Sequence, residues 1–197
     1  GDVRLVELVG RLGQELSEGE IIQLNNTNAS NFSEAVYFEV IKKKTAALFA
    51  TAAEVGAISV KSTDEMAEIS RQFGELIGIS FQIKDDIFDY YSSDVLGKPT
   101  GNDMREGKLT LPALYVLNTL RNPSMIELAL KIRALDASDE EIAYFIDYVK
   151  QNGGIEYATQ VMIEYRNKAL AILPDDISDE LKIALTSYID YVIERNK

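Results

Sequence analysis

Helical periodicity runs through almost the whole chain and constrains its fold more than any other feature. Val3, Val6 and Val9 begin an apolar repeat of three or four residues that continues through Leu24. No stretch alternates apolar and polar residues with the two-residue period of a half-buried strand. The sequence therefore predicts an all-α fold, and the length of 197 residues fits one domain or one large part of a domain.

Capping signals and turn residues divide this pattern into separate helices. Asn31 followed by Glu34, and Ser62 followed by Glu65, have the spacing of a capping box at a helix start. Residues 92–108 contain glycines and a proline and are predicted to form a loop. The predicted helices cover about residues 3–24, 33–56, 62–91, 111–120, 138–151 and 155–172, with a last one after Pro174 that ends near 195.

Composition excludes several kinds of function. The chain has 32 acidic and 20 basic residues, a net charge of −12, which disfavours nucleic acid as a partner. It has no histidine, which excludes histidine-based triads and zinc sites, and no cysteine, which fits a reducing compartment such as the cytoplasm. No apolar run approaches the ~20 residues of a membrane span. Any chemistry must therefore use carboxylates, lysines, backbone groups or a bound metal.

The sharpest motif is the acidic segment that ends the helix predicted for 62–91. Asp85 and Asp89 lie one helical turn apart, and Asp86 is rotated from Asp85 by roughly 100°. Ile83 and Ile87 are among the apolar neighbours, which favours a buried helix over an acidic face in solvent. Carboxylates in such a place need a cation, and Mg²⁺ typically takes one or two of them together with phosphate oxygens. We therefore predict that Asp85, Asp86 and Asp89 bind Mg²⁺.

The same D-D-x-x-D string occurs again near the end of the chain. Asp175, Asp176 and Asp179 follow Pro174 at a predicted helix start, where acidic side chains meet the positive end of the helix dipole. We interpret this second copy as helix capping.

Lysines provide the complementary charge for an anion. Lys44-Thr45 precedes the small residues Ala46-Ala47 and is expected to face the interior, whereas Lys42 and Lys43 are expected on the surface. Lys98 and Lys108 lie in the glycine-containing loop after the acidic helix. Such a loop can bring cations over a metal-bound diphosphate, although the loop taken alone favours a surface turn.

A third polar group interrupts the first helix. Gly19 costs about 1 kcal/mol relative to alanine inside a helix and suggests close packing or a cavity wall. Glu20 and Gln23 are neighbours on one helical face, either near metal-bound water or simply exposed.

Taken together, these residues resemble the trans-isoprenyl (polyprenyl) diphosphate synthases. The resemblance covers at least residues 10–115 and rests on Gly19-Glu20, Lys44-Thr45, Phe81-Gln82, Asp85-Asp86, Asp89, Gly97-Lys98, Gly101, Asp103 and Lys108. It implies a helical bundle around a central cavity, usually in a homodimer. It also implies that the substrates are an allylic prenyl diphosphate and isopentenyl diphosphate.

The resemblance assigns a role to each site residue. It implies that Asp85 and Asp89 bind Mg²⁺ with help from Asp86. Lys44, Lys98 and Lys108 are expected to hold the allylic diphosphate. The residues expected to line the cavity or stand near it are Thr45, Gln82, Phe81, Glu20 and Gln23.

The sequence also departs from the family pattern. The family has an earlier aspartate-rich motif and a Gly-Lys segment for isopentenyl diphosphate, and neither occurs here. We therefore expect the chain to be the C-terminal portion of a synthase domain that lacks its N-terminal helices. It would hold about half of the metal site and would not condense prenyl diphosphates alone.

Three other interpretations stay open at this point. The chain could be a related terpene cyclase, a non-catalytic helical partner subunit that shapes product length, or a helical scaffold. The stretches around Glu20 and Lys44 look most like medium- and long-chain synthases of the octaprenyl type. The sequence does not determine product length.

Overall fold

The computed structural model describes residues 3–27, 31–91 and 100–194, and only the backbone of Thr27. Every regular element in these ranges is helical, which confirms the all-α prediction. The elements are α1 (Val3–Thr27), α2 (Glu34–Ile41), a π-helical segment (Lys42–Ala46), α3 (Ala47–Ser59), α4 (Asp64–Phe88), α5 (Asn102–Arg105), α6 (Leu111–Leu120), α7 (Pro123–Arg133), α8 (Asp139–Gln151), α9 (Gly154–Ala171) and α10 (Asp179–Glu194). None of the helices in the described ranges has both the length and the apolarity needed to cross a bilayer.

The helices form two compact units, each assembled from separate stretches of sequence. The first unit comprises Gly1–Ile21, Glu39–Gln82 and Met162–Lys197, and the second comprises Ile22–Phe38 and Ile83–Val161. The long helix α4 contributes to both, because the boundary falls between Gln82 and Ile83. The central cavity implied by the resemblance stays a prediction.

In the first unit, α4 packs directly on the backbone of the π-helical segment. A Cβ atom at Gly78 would lie 2.5 Å from the Cα atom of Ala46, a distance that no side chain tolerates. Glycine is therefore required where these two elements meet. Farther along the same unit, Leu8, Ile58 and Ala67 form a buried apolar cluster.

The second unit has an apolar core contributed largely by α6, α7 and α8. Its buried side chains include Leu111, Leu114, Leu117, Ile132, Phe145 and Val149. Burial of large aliphatic and aromatic side chains of this kind stabilises the fold by roughly 1.5–3 kcal/mol each. This core supports the helices that carry the acidic residues.

The start of α2 is fastened to the second unit by polar side chains. Nη1 of Arg133 donates to the Asn31 carbonyl over 2.6 Å, and Nδ2 of Asn118 donates to the Phe32 carbonyl over 2.8 Å. These carbonyls precede the first turn of α2, so the position of that helix is fixed at its N-terminal end.

Several helices start one to four residues later than predicted. The cap of α2 is Ser33, whose Oγ accepts from the Val36 N–H, and not Asn31. Likewise Thr63 caps α4 in place of Ser62, and Ser178 caps α10 in place of the aspartates of the second D-D-x-x-D string. The capping box of Ser138 is confirmed. Serine, threonine, asparagine and aspartate cap almost equally well, so tertiary packing decides among adjacent candidates.

Other differences concern whole elements. The helix predicted for 33–56 is interrupted by the π-helical segment Lys42–Ala46. The short α5 occupies part of the predicted loop, and α7 was not assigned from the sequence. Gly101 and Gly107, both with positive φ, flank α5 and account for the turn signals that dominated this region.

Candidate active site

The three aspartates of the acidic motif lie in the last two turns of α4 or directly after it. Asp86 is buried, with 3% of its surface exposed, and Asp85 and Asp89 are half-buried. Ile83, two residues before Asp85, and Ile87, between Asp86 and Asp89, are buried. The prediction that these carboxylates do not form a solvated face is confirmed.

Asp86 is held by a tyrosine of α2. The Tyr37 hydroxyl donates to Oδ2 of Asp86 over 2.6 Å, and Tyr37 is only 6% exposed. Burial, followed by the nearby negative charge of Asp86, raises the pKa of Tyr37 well above its ordinary value. The hydroxyl therefore stays protonated and remains a hydrogen-bond donor to a carboxylate, an arrangement stronger than a neutral hydrogen bond.

Asp89 connects the end of α4 to α5. Its two carboxylate oxygens accept the backbone N–H groups of Asn102 and Asp103, over 2.9 and 3.1 Å. Its backbone carbonyl accepts the N–H of Gly101 over 2.8 Å, and Gly101 has the positive φ of +78° that the turn requires. The Lys108 N–H in turn donates to the Asp103 carbonyl over 2.8 Å. Asp89 thus organises the backbone that leads to Lys108.

The charges around Asp89 and Asp103 favour a bound cation. Burial, followed by the negative charge of Asp89, raises the pKa of Asp103 to about 6. Lys108 opposes this shift, whereas Glu106 and Asp85 add to it. The negative charges of Asp89, Glu106 and Asp85 around this partly buried carboxyl group are ones that a divalent cation would relieve.

The donor set fits Mg²⁺ only as a partial shell. Among the residues that the structure describes, no three acidic side chains converge closely enough to hold a metal ion by themselves. Mg²⁺ characteristically uses one or two carboxylates and completes its octahedron with water and phosphate oxygens. The carboxylates of Asp85 and Asp89 are suited to this, with Asp103 as an additional acidic neighbour.

Two lysines, Lys98 and Lys108, were predicted to lie in the loop after the acidic helix. Lys98 lies outside the described residues. Lys108 is half-buried, forms an ion pair with Glu106, and acts on Asp103 through its charge.

A second polar group lies in the first unit, on the π-helical segment and α4. The Thr45 hydroxyl donates to Oε1 of Gln82 over 2.6 Å, and Lys44 forms an ion pair with Glu20. The ring of Phe81 packs against that of Phe49 with centroids 5.2 Å apart. A lysine, a hydroxyl and an amide beside aromatic rings can bind an anion at the edge of an apolar surface.

Gly19 explains how the lysines are held. A Cβ atom at this position would lie 2.8 Å from both Cβ of Lys43 and Cγ of Lys44, which confirms the prediction of close packing. Lys43 also forms a 2.7 Å ion pair with Glu18, and its side chain is only 27% exposed. The Lys42 side chain is about half exposed, as expected, but Lys43 and Lys44 are covered to a similar extent, at 27% and 30% exposed, so the structure does not separate a surface Lys43 from an interior Lys44.

The predicted site residues thus fall into two groups. The second unit holds Asp85, Asp86, Asp89 and Lys108, and the first unit holds Lys44, Thr45, Gln82, Phe81 and Glu20. Gln23 is half-buried on α1, three residues beyond Glu20. Sequence reasoning did not give a role to Tyr37 or Asp103. The position of Asp103 between Gly101 and Lys108 was a usable signal, whereas nothing near Tyr37 indicates its partner.

Comparison with known proteins decides the family. Residues 1–149 match the family profile described as polyprenyl synthetase. The chain belongs to the polyprenyl synthetase family.

Members of the family with known names or structures are similar over the whole chain. The octaprenyl diphosphate synthase of Haemophilus influenzae is 32% identical over 98% of this chain and 59% of its own length. The crystal structure of a geranylgeranyl pyrophosphate synthase from Bacteroides thetaiotaomicron is 50% identical, with a TM-score of 0.93 over 98% of this chain and 64% of that one. A Caulobacter crescentus polyprenyl synthase, complexed with calcium and isoprenyl diphosphate, is 31% identical, with a TM-score of 0.91 over 100% and 60%. The chain spans about three fifths of the length of its curated relatives.

Proposed function

We propose that the complete natural protein condenses an allylic prenyl diphosphate with isopentenyl diphosphate. The observation that carries the proposal is the half-buried acidic group of Asp85, Asp89 and Asp103 in a chain of the polyprenyl synthetase family. Its excess negative charge suits a divalent cation, and a diphosphate supplies the oxygen ligands that such a cation still needs.

The proposed reaction joins the two substrates and releases inorganic diphosphate. The allylic C–O bond breaks and its electron pair leaves with the diphosphate, which produces an allylic carbocation. The double bond of isopentenyl diphosphate attacks this cation to form a C–C bond, and a proton is lost from the adjacent carbon. The released diphosphate can accept that proton, so the absence of histidine is no obstacle. Mg²⁺, when bound, supplies neutralisation of the departing diphosphate charge.

The residues of this chain bind and orient the reactants. We propose that Asp85 and Asp89 hold Mg²⁺, with Asp86 in support, and that Lys44, Lys98 and Lys108 bind the allylic diphosphate. The ion pair with Glu20 keeps the Lys44 ammonium group in position until an anion arrives. A fixed cation of this kind stabilises negative charge as it develops on the leaving group.

The remaining site residues shape the region in which the carbocation forms. The hydrogen-bonded pair of Thr45 and Gln82 would present its dipoles to the developing charge, with Gln23 farther out on α1. Phe81 would exclude water, which otherwise captures a carbocation.

The test is a condensation assay with the purified complete natural protein. Labelled isopentenyl diphosphate is combined with a series of allylic prenyl diphosphates, with Mg²⁺ or with a chelator, and the products are separated by length. We expect Mg²⁺-dependent formation of longer prenyl diphosphates and release of diphosphate. Two results would contradict the proposal. One is conversion of an allylic diphosphate to a cyclic hydrocarbon in the absence of isopentenyl diphosphate, and the other is no reaction with any allylic substrate.

Product length and assembly form a separate part of the proposal. The relatives are named for both geranylgeranyl and octaprenyl products, and our preference for a medium or long product rests on the stretches around Glu20 and Lys44. We further propose a homodimer in the cytoplasm, the latter from the absence of cysteine. The product ladder in the assay and the molar mass by light scattering test these points.

A further inference from the structure

The bond between Tyr37 and Asp86 joins two residues that are 49 positions apart in sequence. Both side chains are buried, and the 2.6 Å distance from the hydroxyl oxygen to Oδ2 is that of a strong hydrogen bond to a carboxylate. A hydrogen bond to a charged group inside a protein is stronger than one between neutral groups, and removing one partner leaves the other unsatisfied. The bond therefore contributes enough to fix the orientation of the side chains it joins.

The direction of Asp86 also sets the direction of its neighbours on α4. Adjacent helical residues differ by roughly 100° around the helix axis, and residues four apart nearly coincide. With Asp86 turned towards α2, Asp85 and Asp89 both project on one flank of Asp86, about 100° and about 60° away from it around the helix axis. The half-buried state of both residues agrees with this arrangement.

Tyr37 is itself attached to a fixed support. It stands on the first turn of α2, and the two carbonyls just before this helix accept hydrogen bonds from Arg133 and Asn118. The hydroxyl thus approaches Asp86 from a helix whose start is held by α6 and α7.

We propose that Tyr37 is a positioning residue: by holding Asp86 inside the second unit, it directs Asp85 and Asp89 towards the cation. Asp86 then acts as an anchor and not as a direct ligand. This inference rests on the proposed function for its cation, but it can be tested without turnover. Mn²⁺ in the presence of inorganic pyrophosphate is a suitable probe, because bound and free Mn²⁺ are distinguished by electron paramagnetic resonance.

The experiment compares the complete natural protein with its Tyr37→Phe and Tyr90→Phe variants. Tyr90 is a matched control, because it is equally buried and lies near the same aspartates, but among the described residues its hydroxyl has no hydrogen bond to any of these carboxylates. Loss of a group that orients metal ligands commonly weakens metal binding by about 10-fold or more. We expect a weakening of about 10-fold for Tyr37→Phe and less than about 2-fold for Tyr90→Phe.

Asp86→Asn and Asp85→Asn form a second pair of variants, which tests whether Asp86 is an anchor or a direct metal ligand. This pair also provides a test if Tyr37→Phe does not fold. In Asp86→Asn the amide oxygen still accepts from Tyr37, so Mn²⁺ binding is expected to weaken much less than in Asp85→Asn. Equal losses in this pair, or an unchanged affinity in Tyr37→Phe, would overturn the inference. A wild-type protein that binds no Mn²⁺ with pyrophosphate would instead refute the proposed function.

Discussion

Thr45 and Gln82 are joined by a 2.6 Å hydrogen bond from a hydroxyl on the π-helical segment to an amide oxygen on α4. They are 37 residues apart in sequence, and the bond fixes the orientation of the Gln82 amide next to Phe81. A π-helical turn inside a longer helix is rare and is frequently found at functional sites. Here it carries Lys44 and Thr45, two of the predicted site residues.

Replacing Thr45 by valine removes this bond with little change in volume. A hydrogen bond contributes about 1 kcal/mol on average, so we expect kcat to fall roughly fivefold in the condensation assay. Thr186→Val is the control, because that hydroxyl donates to the Lys182 carbonyl of its own helix, α10. Equal rates in both variants would show that the bond does not matter for turnover.

Asp85 is the residue whose loss should have the largest effect. In the complete natural protein, we expect Asp85→Ala to lower the condensation rate by orders of magnitude, because a carboxylate that holds the cation is removed. Asp179→Ala provides a control from the second D-D-x-x-D string, where the side chain is exposed at the start of α10. Near-normal kinetics of Asp85→Ala would remove this residue from the metal site.

Replacement by alanine is expected to change the stability of the protein in opposite directions at two glycines of α1. Gly19→Ala places a methyl group 2.8 Å from side-chain atoms of Lys43 and Lys44, and we expect overpacking to cost about 1–3 kcal/mol. Gly13 has no atom within 4 Å of the corresponding position, so alanine there should stabilise the helix by up to about 1 kcal/mol. The midpoints of urea unfolding measure both. A stable Gly19→Ala variant would contradict the close approach of α1 to the π-helical segment.

The ion pair of Glu68 and Arg71 on α4 predicts a pH dependence of stability. Hydrogen bonds from Arg71 lower the pKa of Glu68 to about 2, below its unfolded value. A lowered folded-state pKa stabilises the protein at high pH, so this contribution is complete above about pH 4.5 and disappears as the pH falls towards 2. Because the Glu68 side chain is half exposed, we expect less than about 1 kcal/mol.

Thermal melting of the wild type and Glu68→Gln from pH 7 to pH 2 tests this. The melting temperature of the wild type should exceed that of Glu68→Gln at pH 7, and this difference should shrink below about pH 4.5. A difference that persists unchanged to pH 2 would show that the carboxylate charge is not its source.

The sequence determined the fold class well, because the helical period is a property of the side chains themselves. It placed helix starts less accurately, since Asn31, Ser33, Ser62 and Thr63 are all good caps and packing selects among them. The short helix α5 was not predicted, because the glycines on both sides of it indicated a loop.

The interruption of the helix at Lys42–Ala46 had no local signal. Gly19 packs against this segment from α1 and Gly78 packs against it from α4, so its shape depends on residues far away in sequence. For the candidate site, residue type and spacing predicted the acidic motif, and the small residues that follow Lys44-Thr45 favoured that pair. The bond between Tyr37 and Asp86 was not predicted, because no spacing rule joins residues on two separate helices.

The most direct test of the central claim is a crystal structure of the complete natural protein with Mg²⁺ and pyrophosphate. We predict a magnesium ion with an Asp85 carboxylate oxygen at about 2.1 Å, pyrophosphate oxygens in the same shell, and Asp86 still bonded to Tyr37. A bound magnesium–pyrophosphate complex with no ligand from Asp85 or Asp89 would contradict the account.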